Sequence, residues 1–169
     1  MTLSMWKKLF AGQRIHFWVL SNVVVALDQL TKIIFVGSGE MSYRITLVPG
    51  ILNILPADLN PKGAFSLGPE GATFYIVASF IGLAIIGWFM VTTPPDHRTS
   101  FVALGCLFGG ALGNLIDRVI LGGVRDFIDL HWGPHHWPTF NVADMGICVG
   151  VGLLLWEVFF HPAEDASEA

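Results

Sequence analysis

The sequence is short of charge. Charged residues make up 13% of its 169 positions, against about 25% in a typical globular chain. A soluble fold needs a charged coat, and this chain has too few such residues to make one. Its apolar share is 53%, with 13 Phe and 6 Trp, so lipid is the expected solvent. There is no basic block and no basic–aromatic interleaving, and the net charge is −4. Nucleic acid is therefore not an expected partner. Cysteine is scarce: Cys106 and Cys148 both lie in apolar runs, with no CxxC spacing, and read as small buried hydrophobes. No HExxH places two histidines on one helix face. No internal repeat or low-complexity tract occurs.

What is present is a set of long apolar runs. A bilayer core of about 30 Å needs about 20 such residues as helix. Four stretches qualify: about 15–36, 72–92, 101–121 and 142–160. The first has basic flanks in Lys7, Lys8 and Arg14. It is too long for a signal peptide's apolar region of about 7–15 residues, and it carries Asp28 and Lys32. It is expected to remain as a span. The fold class is thus an all-α membrane protein of four transmembrane helices, one domain over 1–169.

Basic residues set the expected orientation. Lys7, Lys8, Arg14 and Arg98 fall on one side; Arg44, Lys62 and Arg125 fall on the other. The arm before the first span usually dominates, so both termini are expected in the cytoplasm. Loops 37–71 and 122–141 are then outer, and the acidic 161–169 is a cytoplasmic tail. "YRITLVPGILNIL" is rich in β-branched residues and broken by Pro49 and Gly50. It predicts two short strands around a turn, a small extracytoplasmic sheet in the first outer loop.

Ionisable residues inside spans are costly and normally face the bundle interior, paired. Asp28 and Lys32 are four apart on one helix face and suit an internal ion pair. In "GGALGNLIDRV", Gly109 and Gly113 make a small-xxx-small step that admits a second helix closely. Asn114 and Arg118 follow on one face, with Asp117 beside them. Three polar groups at a span's end suggest a water-accessible cavity, or a self-satisfied packing network.

Asp126 lies just past the third span, and Asp144 lies in the first turn of the fourth. The loop between them is too short to cross the bilayer, so both carboxylates belong on one side. Two close carboxylates share a proton. One can then activate water while the other polarises a carbonyl and donates to a leaving amine. That chemistry needs neither a metal nor a cofactor. A structural reading stands beside it: Asp126 paired with Arg125 or Arg118, and Asp144 favoured by a helix dipole.

Together these motifs resemble the lipoprotein signal peptidase (signal peptidase II) family, over most of the chain. "DQLTK" at 28–32 is similar to its first box, "GNLIDRV" at 113–119 to its third, and "VRDFID" at 124–129 and "FNVAD" at 140–144 to its catalytic boxes. The resemblance implies an aspartic endopeptidase of the bacterial inner membrane with Asp126 and Asp144 as the dyad. It implies that Asn60, Asn114, Arg118 and Asn141 line the site, with Asp28 and Lys32 in support. It also implies diacylglyceryl-modified prolipoprotein substrates cut just before the lipidated cysteine near the outer face, membrane lipids as surroundings, and a monomer. The second box departs from the family pattern: in "NPKGAFS", 60–66, Lys62 stands where Gly is usual. Asp129, three residues from Asp126, ranks below the dyad.

Three other readings are open. His131, His135 and His136 with a nearby aspartate suggest a metalloprotease, but "HWGPHHWP" reads as an interfacial loop, with Trp132 and Trp137 at headgroup level. A transporter or channel subunit also buries charge, yet normally shows repeats and broken helices. A purely structural membrane protein would use the charges only to pair helices.

Overall fold

In a computed structural model, which describes residues 10, 12–36, 44–61 and 72–160, each apolar run forms one helix. They are α1 (Arg14–Val36), α2 (Ala72–Thr92), α3 (Arg98–Leu121) and α4 (Val142–Phe160). All four are long and apolar enough to cross a membrane. The third begins three residues before its expected start, because Arg98 to Ser100 continue the helix.

α3 is the centre of the bundle. It packs on all three other helices, and more than half of its apolar window is buried. Glycine permits this closeness. A Cβ on Gly109 would lie 2.7 Å from the Ser21 carbonyl oxygen of α1, and one on Gly110 would run into the Ala143 carbonyl oxygen of α4. Without a hydrophobic drive between helices in lipid, such backbone approach, with hydrogen bonds between helices, holds them together. α2, which contains no charged residue, packs chiefly on α3 and buries only Met90. Its Trp88, Phe80 and Phe74 are exposed, as a helix bathed in acyl chains requires. Away from the sheet, Phe17, Met90, Phe101 and Leu104 form an apolar cluster.

The sheet is larger than expected. It has four antiparallel strands in the order β1 (Ile45–Val48), β2 (Leu52–Asn60), β3 (Val124–Trp132) and β4 (His135–His136). The first pair, turning at Gly50 with φ 77°, is the hairpin that Pro49 and Gly50 predict. The second pair comes from 122–141, expected to be loop, so the sheet joins both connections rather than the first alone. The physical reason lies in the alternation of β3. Val124, Asp126, Ile128 and Leu130 share one face, and Arg125, Phe127, Asp129 and His131 the other. Carboxylates on both faces hide this period from a reading based on apolar alternation. Register shifts between Ile54 and Asp58, around Pro56, which has no N–H to donate.

The expected departure at Lys62 and the tail 161–169 lie outside the described residues, as do Lys7 and Lys8.

Candidate active site

α3 ends at Leu121, capped by Gly122 with φ 77°, whose N–H donates to the Arg118 carbonyl. Two residues later β3 begins, which carries Asp126 to the end of the bundle where α4 starts. Asn141 stands at the N-cap of α4 and Asp144 three residues on. The Asp144 backbone N–H donates to Asn141 Oδ1 at 3.0 Å, and the Asn141 backbone N–H donates to Asp144 Oδ2 at 3.2 Å. This reciprocal arrangement is a capping box. It fixes the rotamer of Asp144 with the same bonds that start the helix.

The side-chain amide of Asn141 ties the two aspartates together. Its Nδ2 donates to Asp126 Oδ1 at 2.8 Å and to Asn114 Oδ1 at 3.1 Å. Asn114 Nδ2 in turn donates to Asp144 Oδ1 at 2.8 Å. Asn60, at the end of β2, donates to Asp126 Oδ2 at 3.1 Å. Asp126 is only 7% exposed. Burial pushes its carboxyl from an ordinary 3.8 up to about 6; the Asn60 and Asn141 bonds work against the shift, and the nearby Asp144 charge adds to it.

Behind the pair lies a buried ionic layer. Lys32 Nζ donates to Asp28 Oδ2 at 2.8 Å and lies 3.2 Å from Asp117 Oδ2 and 3.4 Å from Asn114 Oδ1. Asp28, Lys32 and Asp117 are fully buried. Asp28 Oδ1 also accepts the Ala143 backbone N–H at 3.0 Å, so α1 satisfies an orphan donor in the first turn of α4. The i, i+4 pair expected at Asp28 and Lys32 is present.

The sequence-predicted residues therefore converge. Asp126, Asp144, Asn60, Asn114 and Arg118 line one cavity of about 550 Å³, and Asn141, Asp28 and Lys32 support it from beneath. Arg118 reaches the cavity from α3, its guanidinium 5.6 Å from the Tyr75 ring of α2. Much of the remaining wall is apolar: Leu130, Trp137, Phe140, Met145, Ile147 and Cys148. Cys148, expected to be buried, is exposed on this wall, whereas Cys106 is buried.

Asp129 belongs elsewhere. It points to the other face of β3, where Asn53 Nδ2 donates to it at 2.8 Å and His136 Nδ1 approaches at 2.6 Å. Burial opposes its charge, but the hydrogen bonds from His136 and Asn53 outweigh it and hold its carboxyl below the ordinary value. His131 stacks on His136. Among the described residues, no three His, Cys, Asp or Glu side chains gather as metal ligands.

Sequence reasoning missed two partners. Asp117, grouped with Asn114 and Arg118, points away from the cavity to Lys32 and Arg125. Arg125 does not pair with Asp126; it binds Asp117 Oδ1 at 2.7 Å and Gln29 Oε1 at 3.1 Å. The signal available was position alone, since β alternation turns neighbours Arg125 and Asp126 to opposite faces.

The matches to known proteins are consistent over nearly the whole chain. The family model described as signal peptidase (SPase) II matches residues 20–160. A protein of Syntrophotalea carbinolica named lipoprotein signal peptidase is 39% identical over 140 residues, 81% of this chain and 86% of its own length. One of the same name from Geobacter metallireducens is 41% identical, covering 82% and 86%. Another, from Desulforapulum autotrophicum, is 36% identical over 157 residues, covering 89% and 96%. A solved bacterial membrane enzyme superposes with a TM-score of 0.75 at 31% identity, over 88% of this chain and 93% of that one.

Proposed function

The chain belongs to the signal peptidase II family, and on that premise we propose that it is a membrane-embedded aspartyl endopeptidase acting on diacylglyceryl-modified prolipoproteins. Asp126 and Asp144 are its catalytic pair. The observation that carries this reading is the bridging of both carboxylates through Asn141, at the mouth of a cavity whose wall is mostly apolar.

The chemistry follows from the pair sharing one proton. The ionised carboxylate takes a proton from water as the water oxygen attacks the scissile carbonyl carbon. The protonated carboxylate donates to the carbonyl oxygen. The tetrahedral diol then collapses, the carbon–nitrogen bond breaks, and a carboxyl proton passes to the leaving amine of the lipidated cysteine. Asn60, Asn114 and Asn141 hold the carboxylates so that this geometry exists before substrate arrives. Arg118 supplies positive charge beside the pair. Asp28 and Lys32 support it from the ionic layer.

The apolar wall suits a substrate that stays in lipid. Acyl chains lie against Leu130, Phe140, Met145 and Ile147 while the scissile bond reaches the carboxylates. In this reading the protein is one monomeric domain of the bacterial inner membrane, with termini in the cytoplasm and the sheet at the outer face. Exposed Trp132 and Trp137 then sit at headgroup level.

The test is direct. Purified protein in detergent is incubated with a lipidated prolipoprotein and its unlipidated form, and the products are sequenced by mass spectrometry. Release of a fragment ending just before the lipidated cysteine, from the lipidated form only, is expected. Cleavage at another bond, or equal cleavage of both forms, contradicts the reading.

A further inference from the structure

Asp126 hangs on a strand whose start is poorly determined by its own sequence. Between α3 and β3 the chain turns through Gly122 and Gly123, with Gly122 in the left-handed region. Neither has a side chain to fix the direction in which the strand leaves. One edge of the strand's start is held by its ladder with β2, and across the turn one carboxylate of α3 grips it. Asp117 Oδ2 accepts the Arg125 backbone N–H at 3.0 Å and its Nε at 3.2 Å, and Asp117 Oδ1 accepts Nη2 at 2.7 Å. The second bond of Nη2, to Gln29 Oε1, adds α1 to the clamp. A planar guanidinium held at two nitrogens by a fully buried carboxylate has one geometry.

We propose that Arg125 is a positioning residue for the reaction: anchored on Asp117, it fixes the strand from which Asp126 projects. This rests on the aspartyl peptidase reading. Arg125 acts from the opposite face of β3 and touches none of the cavity, whose lining omits it.

Its charge has a second effect. Among the residues whose side chains are described, the charged groups around the pair are Asp28 and Lys32 from α1, Asp117 and Arg118 from α3, Arg125 and Asp126 from β3, and Asp144 from α4; Asp58 of β2 pairs with Asp126 in the ladder. Tyr75 of α2 faces Arg118. Arg125 and Lys32 offset Asp117 and Asp28, which leaves Arg118 facing the two catalytic carboxylates. Losing Arg125 removes a cation and leaves Asp117 less compensated, which disfavours ionisation of the pair, and the activity profile then moves to higher pH.

The experiment compares wild type, Arg125→Gln and Arg125→Lys on a lipidated prolipoprotein, with kcat, KM, the pH profile and thermal unfolding measured for each. For Arg125→Gln the expected result is a kcat lowered about 10–100-fold with KM within about three-fold. Its pH profile moves up by about half a unit or more. Arg125→Lys keeps the charge but not the fork, so it restores the pH profile and not kcat. An active wild type with an indifferent Gln variant overturns the proposal alone, as does a kcat loss that merely tracks the unfolded fraction. A wild type that cleaves nothing overturns the peptidase reading and this proposal with it. Should Arg125→Gln not fold, Arg125→Lys carries the test: a lowered kcat at retained KM supports the clamp, and a wild-type kcat overturns it.

Discussion

Asn141 and Asp144 each donate a backbone N–H to the other's side chain, at 3.2 and 3.0 Å. The start of α4 and the orientation of the Asp144 carboxylate are therefore one structure. The side-chain amide nitrogen of Asn141 extends it to Asp126. A single asparagine thus serves as helix cap and as bridge between two carboxylates.

Those two duties separate by mutation. Asn141→Ser keeps a capping oxygen and loses the donor to Asp126 without adding charge; Asn141→Ala loses both. Loss of a cap costs about 1 kcal/mol, so the Ala variant unfolds at lower temperature than the Ser variant, while both lose activity. Thermal unfolding in detergent alongside cleavage rates checks this. Equal stability of the two variants would mean that the box does not hold the helix.

Lys32 is a larger commitment. Its ammonium is fully buried and faces Asp28 and Asp117, both fully buried. Removing one partner of a buried ionic cluster leaves uncompensated charge and costs about 3–5 kcal/mol. Lys32→Met is expected to fold poorly, and Lys32→Met with Asp28→Asn less poorly. Detergent-solubilised yield and melting temperature report the difference. A Lys32→Met protein with wild-type melting would show that the layer is not structural.

Close approach at glycine gives a third expectation. A methyl at Gly110 meets the Ala143 backbone oxygen, which cannot move without moving the first turn of α4. Gly110→Ala is expected to destabilise by about 1–3 kcal/mol and to displace Asp144. Gly82 of α2 has open space around it, so Gly82→Ala serves as control, with stability unchanged or slightly raised. Parallel melting curves of the two variants decide it.

The raised carboxyl of Asp126 links stability to pH. Between its ordinary 3.8 and about 6, the folded chain holds a proton that the unfolded chain has released. Stability from this group is complete below that window and is lost as pH rises through it. Asp126→Asn has no such proton to lose, so its melting temperature falls less than that of wild type between pH 4 and 6.5. Identical slopes would place the carboxyl near its ordinary value.

Much of this was legible in the sequence. Four apolar runs of membrane length have no other use, and Asp28, Asn114 and Asp144 stand out because charge and amide groups inside such runs must be satisfied. The strand carrying Asp126 was not legible. Its alternation is Val, Asp, Ile, Leu against Arg, Phe, Asp, His, and carboxylates on both faces erase the apolar period. For the same reason the partner of Arg125, Asp117, was hidden: pairing Arg125 with its sequence neighbour ignores that a strand turns neighbours apart. The exposure of Cys148 was missed because an apolar run shows which residues leave water, not which face lipid and which line a cavity.

Joint activation of water by Asp126 and Asp144 is tested by comparing cleavage of a lipidated prolipoprotein by wild type, Asp126→Asn and Asp144→Asn, each shown to be folded by its melting curve. Wild type is expected to release the signal peptide and each variant to fall by about 1,000-fold or more, since neither carboxylate is expected to work without the other. A folded variant that still cleaves at a tenth of the wild-type rate would contradict it.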